Sequence, residues 1–401
     1  MNNVELHPIA GVYLGACAAN IKKSGKNDLV IIELAENSRT AATFTQNSFC
    51  AAPVILAKEN IASQSPRVLI INSGNANAGT GKQGMQDVKQ VCAWVAKEMG
   101  CDKDQVLPFS TGVIGENLPM DKFQQGIPLA LSNLAIGHWD IASQGIMTTD
   151  LVPKVYSKVV DIDGHSVTFT GMSKGSGMIH PNMATMLGFA ATDAKISQAC
   201  LDKCLLDAVG MSFNRITVDG DTSTNDACTL TATQQADMPE INDIHSIAYK
   251  QFTAVVNEMM IDLAQKIVRD GEGATKFVSI IVESGKNSRE CLTVANTVAL
   301  SPLVKTALFA SDPNWGRILA AVGRADIENL DITSLKIFLG DVCIVEEGGR
   351  AASYTEEAGQ AIMDNSDIEI LIQLNRGTAC ETVWTTDFSY DYVKINAEYR
   401  S

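Results

Sequence analysis

The sequence alternates between short apolar runs and longer segments in which apolar residues recur every three or four positions. Residues 29–32 and 67–71 are apolar runs of the kind that form buried strands. The run at 67–71 is followed by a segment rich in Asn and Gly at 72–79, which predicts a loop. Apolar residues at helical spacing over 85–99 predict a helix, and Gly100 is well placed to end it, because glycine readily adopts a left-handed C-cap conformation.

A tight hairpin is predicted further along the chain, because strand-type runs over 155–162 and 165–170 flank Asp163-Gly164, a strong hairpin turn signal. Further elements follow from the same kinds of signal: a helix over about 246–269, a strand over 277–282, a helix that begins at Ser301-Pro302, and a strand over 368–374. Strands in several groups with helices between them indicate an α/β or α+β protein built in layers.

Composition and charge narrow the classes of function. The 401 residues are 46% hydrophobic and 19% charged, which is typical of a compact protein with a large core. A formal net charge of -15 argues against binding to nucleic acid or to an anionic membrane, so small molecules are the expected partners. No apolar run has the length of a bilayer span and the first residues lack the pattern of a signal peptide, so we expect a cytoplasmic protein.

Cysteine and histidine spacing gives no sign of a metal site. The ten cysteines are scattered without a Cys-x-x-Cys pair, and we expect them to be reduced and mostly buried. Cys200 and Cys204 have the spacing of one helix face and are expected to pack there. The five histidines are dispersed without the spacing of metal ligands, so no metal is expected.

The segment 174–188 carries the strongest candidate chemistry, although a Gly-rich stretch of this kind is also compatible with an ordinary loop. It fits neither a helix nor a simple strand, since Gly175 and Gly177 permit unusual backbone conformations ahead of the bond between Ala184 and Thr185. An N-to-O acyl shift followed by hydrolysis would split that bond and make Thr185 a new N-terminus. A threonine with a free α-amine supplies both a nucleophile and a base.

The same segment resembles the cleavage and nucleophile signature of the ornithine acetyltransferase family, the glutamate N-acetyltransferases of arginine biosynthesis. Every fixed position of the pattern Lys-Gly-x-Gly-Met-Ile-x-Pro-x-Met-Ala-Thr-Met-Leu is present. The resemblance covers essentially the whole chain and implies a sandwich-like α/β fold whose N-terminal-nucleophile cleft forms after self-cleavage. It also implies an α chain of residues 1–184 and a β chain of residues 185–401, paired as a dimer of heterodimers.

The resemblance further implies the site residues. By similarity, the Thr111 side chain and the Gly112 backbone N–H form the oxyanion hole, within a segment at 108–116 that by itself predicts a turn. Substrate contacts are implied for Thr148, Lys174, Thr185, Glu272, Asn396 and Ser401. Leu151 departs from the threonine expected there, and Ser401 stands where the family more often has threonine. The carboxylate-rich run at 218–226 lacks the spacing of an EF-hand loop and receives no assigned chemistry.

The reaction implied by the resemblance is a ping-pong acetyl transfer through an acetyl-Thr185 ester, from N2-acetylornithine to glutamate. No cofactor is expected, because the covalent ester carries the acetyl group. A bifunctional member would also accept acetyl from acetyl-CoA, which the sequence leaves open. Two alternatives remain: an N-terminal-nucleophile amidase or aminopeptidase that gives the acyl group to water, and a processed but inactive assembly protein.

Overall fold

The computed structural model describes residues 5–21, 25–180 and 186–398. The elements in chain order begin with β1 (Val12–Cys17), β2 (Leu29–Leu34), β3 (Arg39–Phe44), α1 (Ala52–Ser63), β4 (Val68–Asn75), α2 (Gly81–Met99), β5 (Val106–Val113), α3 (Met120–Ser132), β6 (Ala135–Ile136), α4 (Trp139–Gly145), β7 (Lys154–Ile162), β8 (His165–Lys174), β9 (Leu187–Thr192), α5 (Gln198–Met211), β10 (Ile216–Thr217), β11 (Ala227–Ala232) and α6 (Ile247–Arg269). They continue with β12 (Phe277–Gly285), α7 (Ser288–Ala299), α8 (Pro302–Phe309), α9 (Trp315–Gly323), β13 (Lys336–Leu339), β14 (Val342–Glu346), β15 (Gly349–Arg350), α10 (Glu356–Met363), β16 (Asp367–Gln373), β17 (Ala379–Thr386) and α11 (Tyr390–Ala397).

Two structural units divide the chain. The first comprises Met1–Asn214 and Asp221–Ile267, and the second comprises Arg215–Gly220 and Val268–Ser401. This division follows packing and differs from the expected chain boundary at 184/185, which stays a prediction.

The first unit is built in four layers. One sheet has the strand order β5-β4-β2-β1-β6 and the other β3-β11-β9-β8-β7. Apolar side chains from the facing sides of the two sheets form a shared core, with Leu14, Ile32 and Phe109 on one side and Met172 and Phe189 on the other. Helices α1, α2 and α3 pack on the outer face of the first sheet, and α5 and α6 pack on the second. The expected layered α/β fold is confirmed, with these helices on the outer faces of the two sheets and α4 packed against strands of both.

Local signals predicted several elements of this unit correctly. Helix α2 ends at Gly100, which has a left-handed φ of 65° and donates its N–H to the Ala96 carbonyl. The β7–β8 hairpin pairs Ile162 with His165 across its two-residue turn, as expected. Cys200 and Cys204 are buried on one face of α5.

The loop predictions at 72–79 and 108–116 are each wrong in part, and for the same reason. Strand β4 continues through 72–75 and β5 continues through Val113, because the two strands pair in parallel along this whole stretch. The segment 174–188 has the predicted irregular backbone at 175–180, although Lys174 is the last residue of β8 and Leu187 opens the antiparallel partner β9. Backbone pairing within a sheet overrides the low strand propensity of Asn, Gly and Pro.

The second unit contains one seven-stranded sheet, in the order β10-β17-β12-β16-β13-β14-β15. Side chains from α7, α8 and α9 pack with the apolar face of this sheet around a core that includes Val294, Leu308, Val322, Ile280 and Ile370. The predicted strands near 277–282 and 368–374 correspond to β12 and β16. Helix α8 begins as expected, with the Ser301 hydroxyl accepting the Val304 N–H and Pro302 in the first turn.

Candidate active site

A buried lysine gathers two predicted site residues around it in the first unit. The Lys174 ammonium donates hydrogen bonds to the Thr111 hydroxyl oxygen at 3.1 Å and to the Thr148 hydroxyl oxygen at 2.8 Å. Lys174 is only 8% exposed, far less than is usual for lysine. Three side chains from distant parts of the sequence therefore form one hydrogen-bonded cluster, which we call the Lys174 cluster.

Strand ends set the positions of two residues of this cluster. Lys174 is the last residue of β8, and Thr111 lies two residues before the end of β5. The next residue, Gly112, has a φ of +132°, and a Cβ built on it would lie 2.3 Å from the Gly74 carbonyl carbon. Only glycine fits there, since both its conformation and its close contact with β4 exclude a side chain. The predicted oxyanion-hole pair thus stands at a tightly constrained backbone position.

The sequence analysis missed Asp150, whose carboxylate lies next to the Lys174 cluster and hydrogen-bonds to it. Its carboxylate accepts the Gly175 N–H at 2.7 Å, the Lys154 ammonium at 2.7 Å and the Thr148 N–H at 3.0 Å. The Lys174 nitrogen lies 4.0 Å from its second oxygen. One carboxylate thus fixes the backbone on both sides of the cluster and compensates two buried ammonium groups.

The electrostatics of Asp150 follow from these contacts. Burial alone would raise the pKa of the carboxyl group, but the charges of Lys174 and Lys154 and the hydrogen bonds together hold that pKa below its ordinary value. Asp150 is therefore ionised near neutral pH. The sequence signal for this pair is the spacing of four residues between Asp150 and Lys154. Taken alone, however, that spacing is typical of an exposed ion pair on a helix.

A second pair of predicted residues meets in the second unit. The Asn396 side-chain amide donates to a Glu272 carboxylate oxygen at 2.8 Å and to the Tyr392 carbonyl at 3.0 Å. Asn396 lies on α11, whose N-cap Ser389 donates its hydroxyl to the Gly273 carbonyl at 2.6 Å. Glu272 is 7% exposed. The C-terminal helix is thus attached at both ends to the turn that carries Glu272, and we call this arrangement the Glu272–Asn396 pair.

Several predicted residues cannot be placed. Ala184, Thr185 and Ser401 lie outside the described residues, so the cleavage point, the nucleophile and the terminal hydroxyl stay predictions. The roles of Thr111 and Gly112 in an oxyanion hole and of Thr148, Lys174, Glu272 and Asn396 in substrate binding are also predictions. At the departure from the family pattern, Leu151 is 81% exposed.

The described ranges contain neither a cluster of metal-binding side chains nor a single helix that could span a membrane. No group of three or more His, Cys, Asp or Glu side chains in these ranges could hold a metal ion. In the same part of the chain, no single helix has the length and apolar composition needed to cross a bilayer. Helices α7 and α8, with a bend of 58° between them, reach that length and composition only when they are taken together.

Comparisons with known proteins agree on one family. The ArgJ family model matches residues 13–401. The arginine biosynthesis bifunctional protein ArgJ of Pseudomonas fluorescens is 54% identical over 396 residues, covering 99% of this chain and 98% of that protein. The protein of the same name from Pseudomonas syringae pv. tomato is 53% identical with the same coverage. A crystal structure of ArgJ from Bacillus halodurans has 35% identity and a TM-score of 0.49, covering 51% of this chain and 95% of that chain. The resemblance seen in the 174–188 segment is confirmed, and the chain belongs to the ArgJ family.

Proposed function

We propose that this chain transfers the acetyl group of N2-acetylornithine to glutamate in arginine biosynthesis, through an ester on Thr185. Membership of the ArgJ family supports the overall reaction, because its relatives are arginine biosynthesis proteins. The observation that carries the chemical proposal is the Lys174 cluster, in which Thr111 and Thr148 share one buried ammonium. Such a group of donors in a buried setting suits acyl transfer, where negative charge develops on a carbonyl oxygen.

The proposed sequence of bonds begins with self-cleavage. The Thr185 hydroxyl attacks the Ala184 carbonyl carbon, the peptide C–N bond breaks, and the resulting ester is hydrolysed by water to leave a free Thr185 α-amine. In the transfer reaction, Thr185 Oγ attacks the acetyl carbonyl while the α-amine takes its proton. Ornithine then leaves with that proton on its nitrogen. The amine of glutamate attacks the ester carbonyl, and N-acetylglutamate leaves as Thr185 regains its proton.

The Lys174–Thr111 hydrogen bond has a specific consequence for the oxyanion. Because the Thr111 oxygen accepts a hydrogen bond from the ammonium, its own hydroxyl hydrogen remains available to donate to another acceptor. A hydroxyl polarised by an adjacent cation is a stronger donor, since such bonds reinforce each other. We propose that this hydrogen and the Gly112 N–H stabilise the tetrahedral intermediate.

The Glu272–Asn396 pair supports a substrate-binding role. The Asn396 amide occupies one carboxylate oxygen, which leaves lone pairs on Glu272 for a cationic donor. Ornithine carries a side-chain ammonium, and charge-assisted hydrogen bonds of this kind are among the strong ones in proteins. We propose that Glu272 recognises this ammonium and that Asn396 orients the carboxylate.

We also propose that the enzyme needs no cofactor, that it can use acetyl-CoA, and that it is an oligomer of the cytoplasm. The acetyl-Thr185 ester makes a separate group carrier unnecessary. The relatives are described as bifunctional, which supports a second reaction in which acetyl-CoA acylates the enzyme. Cytoplasmic location and a dimer of αβ heterodimers are proposed on the family resemblance alone.

The fate of the acetyl group, with and without glutamate as acceptor, tests the proposed function. The purified protein is given N2-acetylornithine with an isotopically labelled acetyl group, with and without glutamate, and the labelled products are separated. The proposal expects labelled N-acetylglutamate in proportion to the ornithine released. Labelled acetate formed at the same rate with or without glutamate would instead indicate an amidase, and no release of ornithine would indicate an inactive assembly protein.

A further inference from the structure

A further buried carboxyl group, that of Asp226, has none of the roles assigned so far. It directly precedes β11, which pairs in parallel with β9, so that Ala227 stands opposite Leu187. The Ala227 N–H donates to the Met186 carbonyl at 3.1 Å, and the Met186 N–H donates to the Asp226 carboxyl group. The backbone of Met186 is therefore held through both its carbonyl and its amide by two consecutive residues.

The Asp226 carboxyl group is fully enclosed but incompletely bonded. The residue is 4% exposed, and the Ser223 hydroxyl is a hydrogen-bond partner of its side chain. The second oxygen, Oδ2, has no hydrogen-bond partner within the described part of the chain. An ionised carboxylate oxygen that is buried without a donor is costly, so this unpaired oxygen favours the neutral form of the group.

The charges around Asp226 favour its neutral form. Lys174 on β8 is the cation that acts on it, and Lys174 already has the ionised Asp150 carboxylate 4.0 Å away. The charge of Asp226 also acts on the Cys50 thiol, which lies before α1. Burial raises the pKa of Asp226 well above its ordinary value, and the opposing effects of Ser223, Lys174 and the Met186 N–H are smaller. The pKa values of the two aspartates near Lys174 are thus shifted in opposite directions, that of Asp150 downward and that of Asp226 upward.

We propose that Asp226 is a positioning residue for the acetyl transfer, in which a neutral carboxyl group fixes the backbone at Met186, the residue bonded to the proposed nucleophile. This inference rests on the function proposed above. A carboxylate in this place would favour the protonated form of a neighbouring α-amine, and a protonated amine cannot act as the base. The neutral form avoids this effect while keeping the hydrogen bond to the Met186 N–H.

Substitution of Asp226 by a neutral amide and by alanine separates the positioning role from that of an acid or a charged carboxylate. Asp226→Asn keeps the shape and an acceptor oxygen but cannot ionise or act as an acid, whereas Asp226→Ala removes the hydrogen bond to Met186. We expect Asp226→Asn to split at 184/185 and to form the acetyl ester at rates within about threefold of normal. We expect Asp226→Ala to slow both steps about tenfold or more, which is the effect of losing one hydrogen bond. Asp193→Asn is the matched control, because Asp193 follows the far end of β9 and its pKa is also raised by burial.

The dependence of unfolding on pH gives a readout besides activity. A carboxyl group whose pKa is raised in the folded state contributes stability below its unfolded pKa of about 4, and this contribution is lost as the pH rises through the folded pKa. The melting temperature of Asp226→Asn relative to that of the normal protein should therefore increase between pH 5 and pH 8.

Each outcome decides the matter. Asp226→Asn as slow as Asp226→Ala while still folded would make the group an obligatory acid or carboxylate and overturn the proposal, and normal rates in both variants would also overturn it. A melting-temperature difference that stays constant between pH 5 and pH 8 would show a carboxyl group already ionised in the folded state and contradict the neutral form. If the normal protein itself is neither split nor acetylated, the proposed function fails rather than this inference.

Discussion

The Lys174 cluster and the Glu272–Asn396 pair are both built on buried charge, but they are held in different ways. In the first, strand ends place Lys174 and Thr111. One carboxylate, that of Asp150, compensates two lysines and accepts hydrogen bonds from the backbone of Gly175 and Thr148. In the second, a short C-terminal helix brings one amide to a carboxylate. The first arrangement is fixed by the sheets of its unit and the second by local helix contacts. We therefore expect the first to control the chemical step and stability, and the second to control substrate affinity.

The largest expected effect comes from Asp150→Ala. This change leaves the buried Lys154 and Lys174 ammonium groups without their shared carboxylate, and breaking a buried ion pair by removing one partner typically costs about 3–5 kcal/mol. Denaturant unfolding should show a loss of this size together with loss of acetylation. Asp207→Ala breaks the exposed pair with Lys203 and serves as control, with an expected cost below about 1 kcal/mol. Equal costs in the two variants would contradict the buried role of Asp150.

Thr111→Ala should have the next largest effect, on rate rather than on stability. Removing one oxyanion donor costs on the order of 3 kcal/mol of transition-state stabilisation, which corresponds to roughly 100-fold slower ester formation and slower self-cleavage. Single-turnover acetylation measures this directly. Thr111→Ser keeps the hydroxyl and should retain most of the rate, and a Thr111→Ala protein that is processed and turns over normally would rule out the donor role.

Glu272→Gln should affect binding more than chemistry. The neutral amide loses the charge that recognises a substrate ammonium, so we expect KM for N2-acetylornithine to rise about tenfold while kcat changes little, as for an interaction made equally in the ground and transition states. Steady-state kinetics provide the test. A large fall in kcat at unchanged KM would place Glu272 in the chemical step and remove the contrast between the two regions.

The smallest effect is expected for Asn396→Ala. It removes one hydrogen bond to Glu272, with a typical net value of about 0.5–1.5 kcal/mol, so KM should rise only a few fold. Val393→Ala on the same helix is the control, because that side chain is 64% exposed and the change should leave KM unaltered. Equal KM values in the two variants would argue that Asn396 does not orient Glu272.

The sequence predicted elements best where one local signal dominated. The apolar period over 85–99 with Gly100, the Asp163-Gly164 turn and Ser301-Pro302 each correspond to an observed helix end or hairpin. The strands through 72–75 and up to Val113 were missed, because their polar and glycine residues pair only in the context of the sheet.

The candidate site shows the same limit in another form. Resemblance to the family selected Thr111, Thr148 and Lys174, but only the fold shows that one ammonium joins them. Asp150 and Asp226 were not selected at all, because carboxylates in polar runs usually lie in solvent. Their roles come from burial, which is a property of the packed layers and has no local signature in either run.

Peptide-level mass spectrometry of the protein after brief exposure to N2-acetylornithine tests the central claim most directly. The account predicts two chains split between Ala184 and Thr185, an acetyl group on Thr185, and loss of that group as N-acetylglutamate when glutamate is added. An intact chain, or split chains that release ornithine while Thr185 never carries an acetyl group, would contradict it.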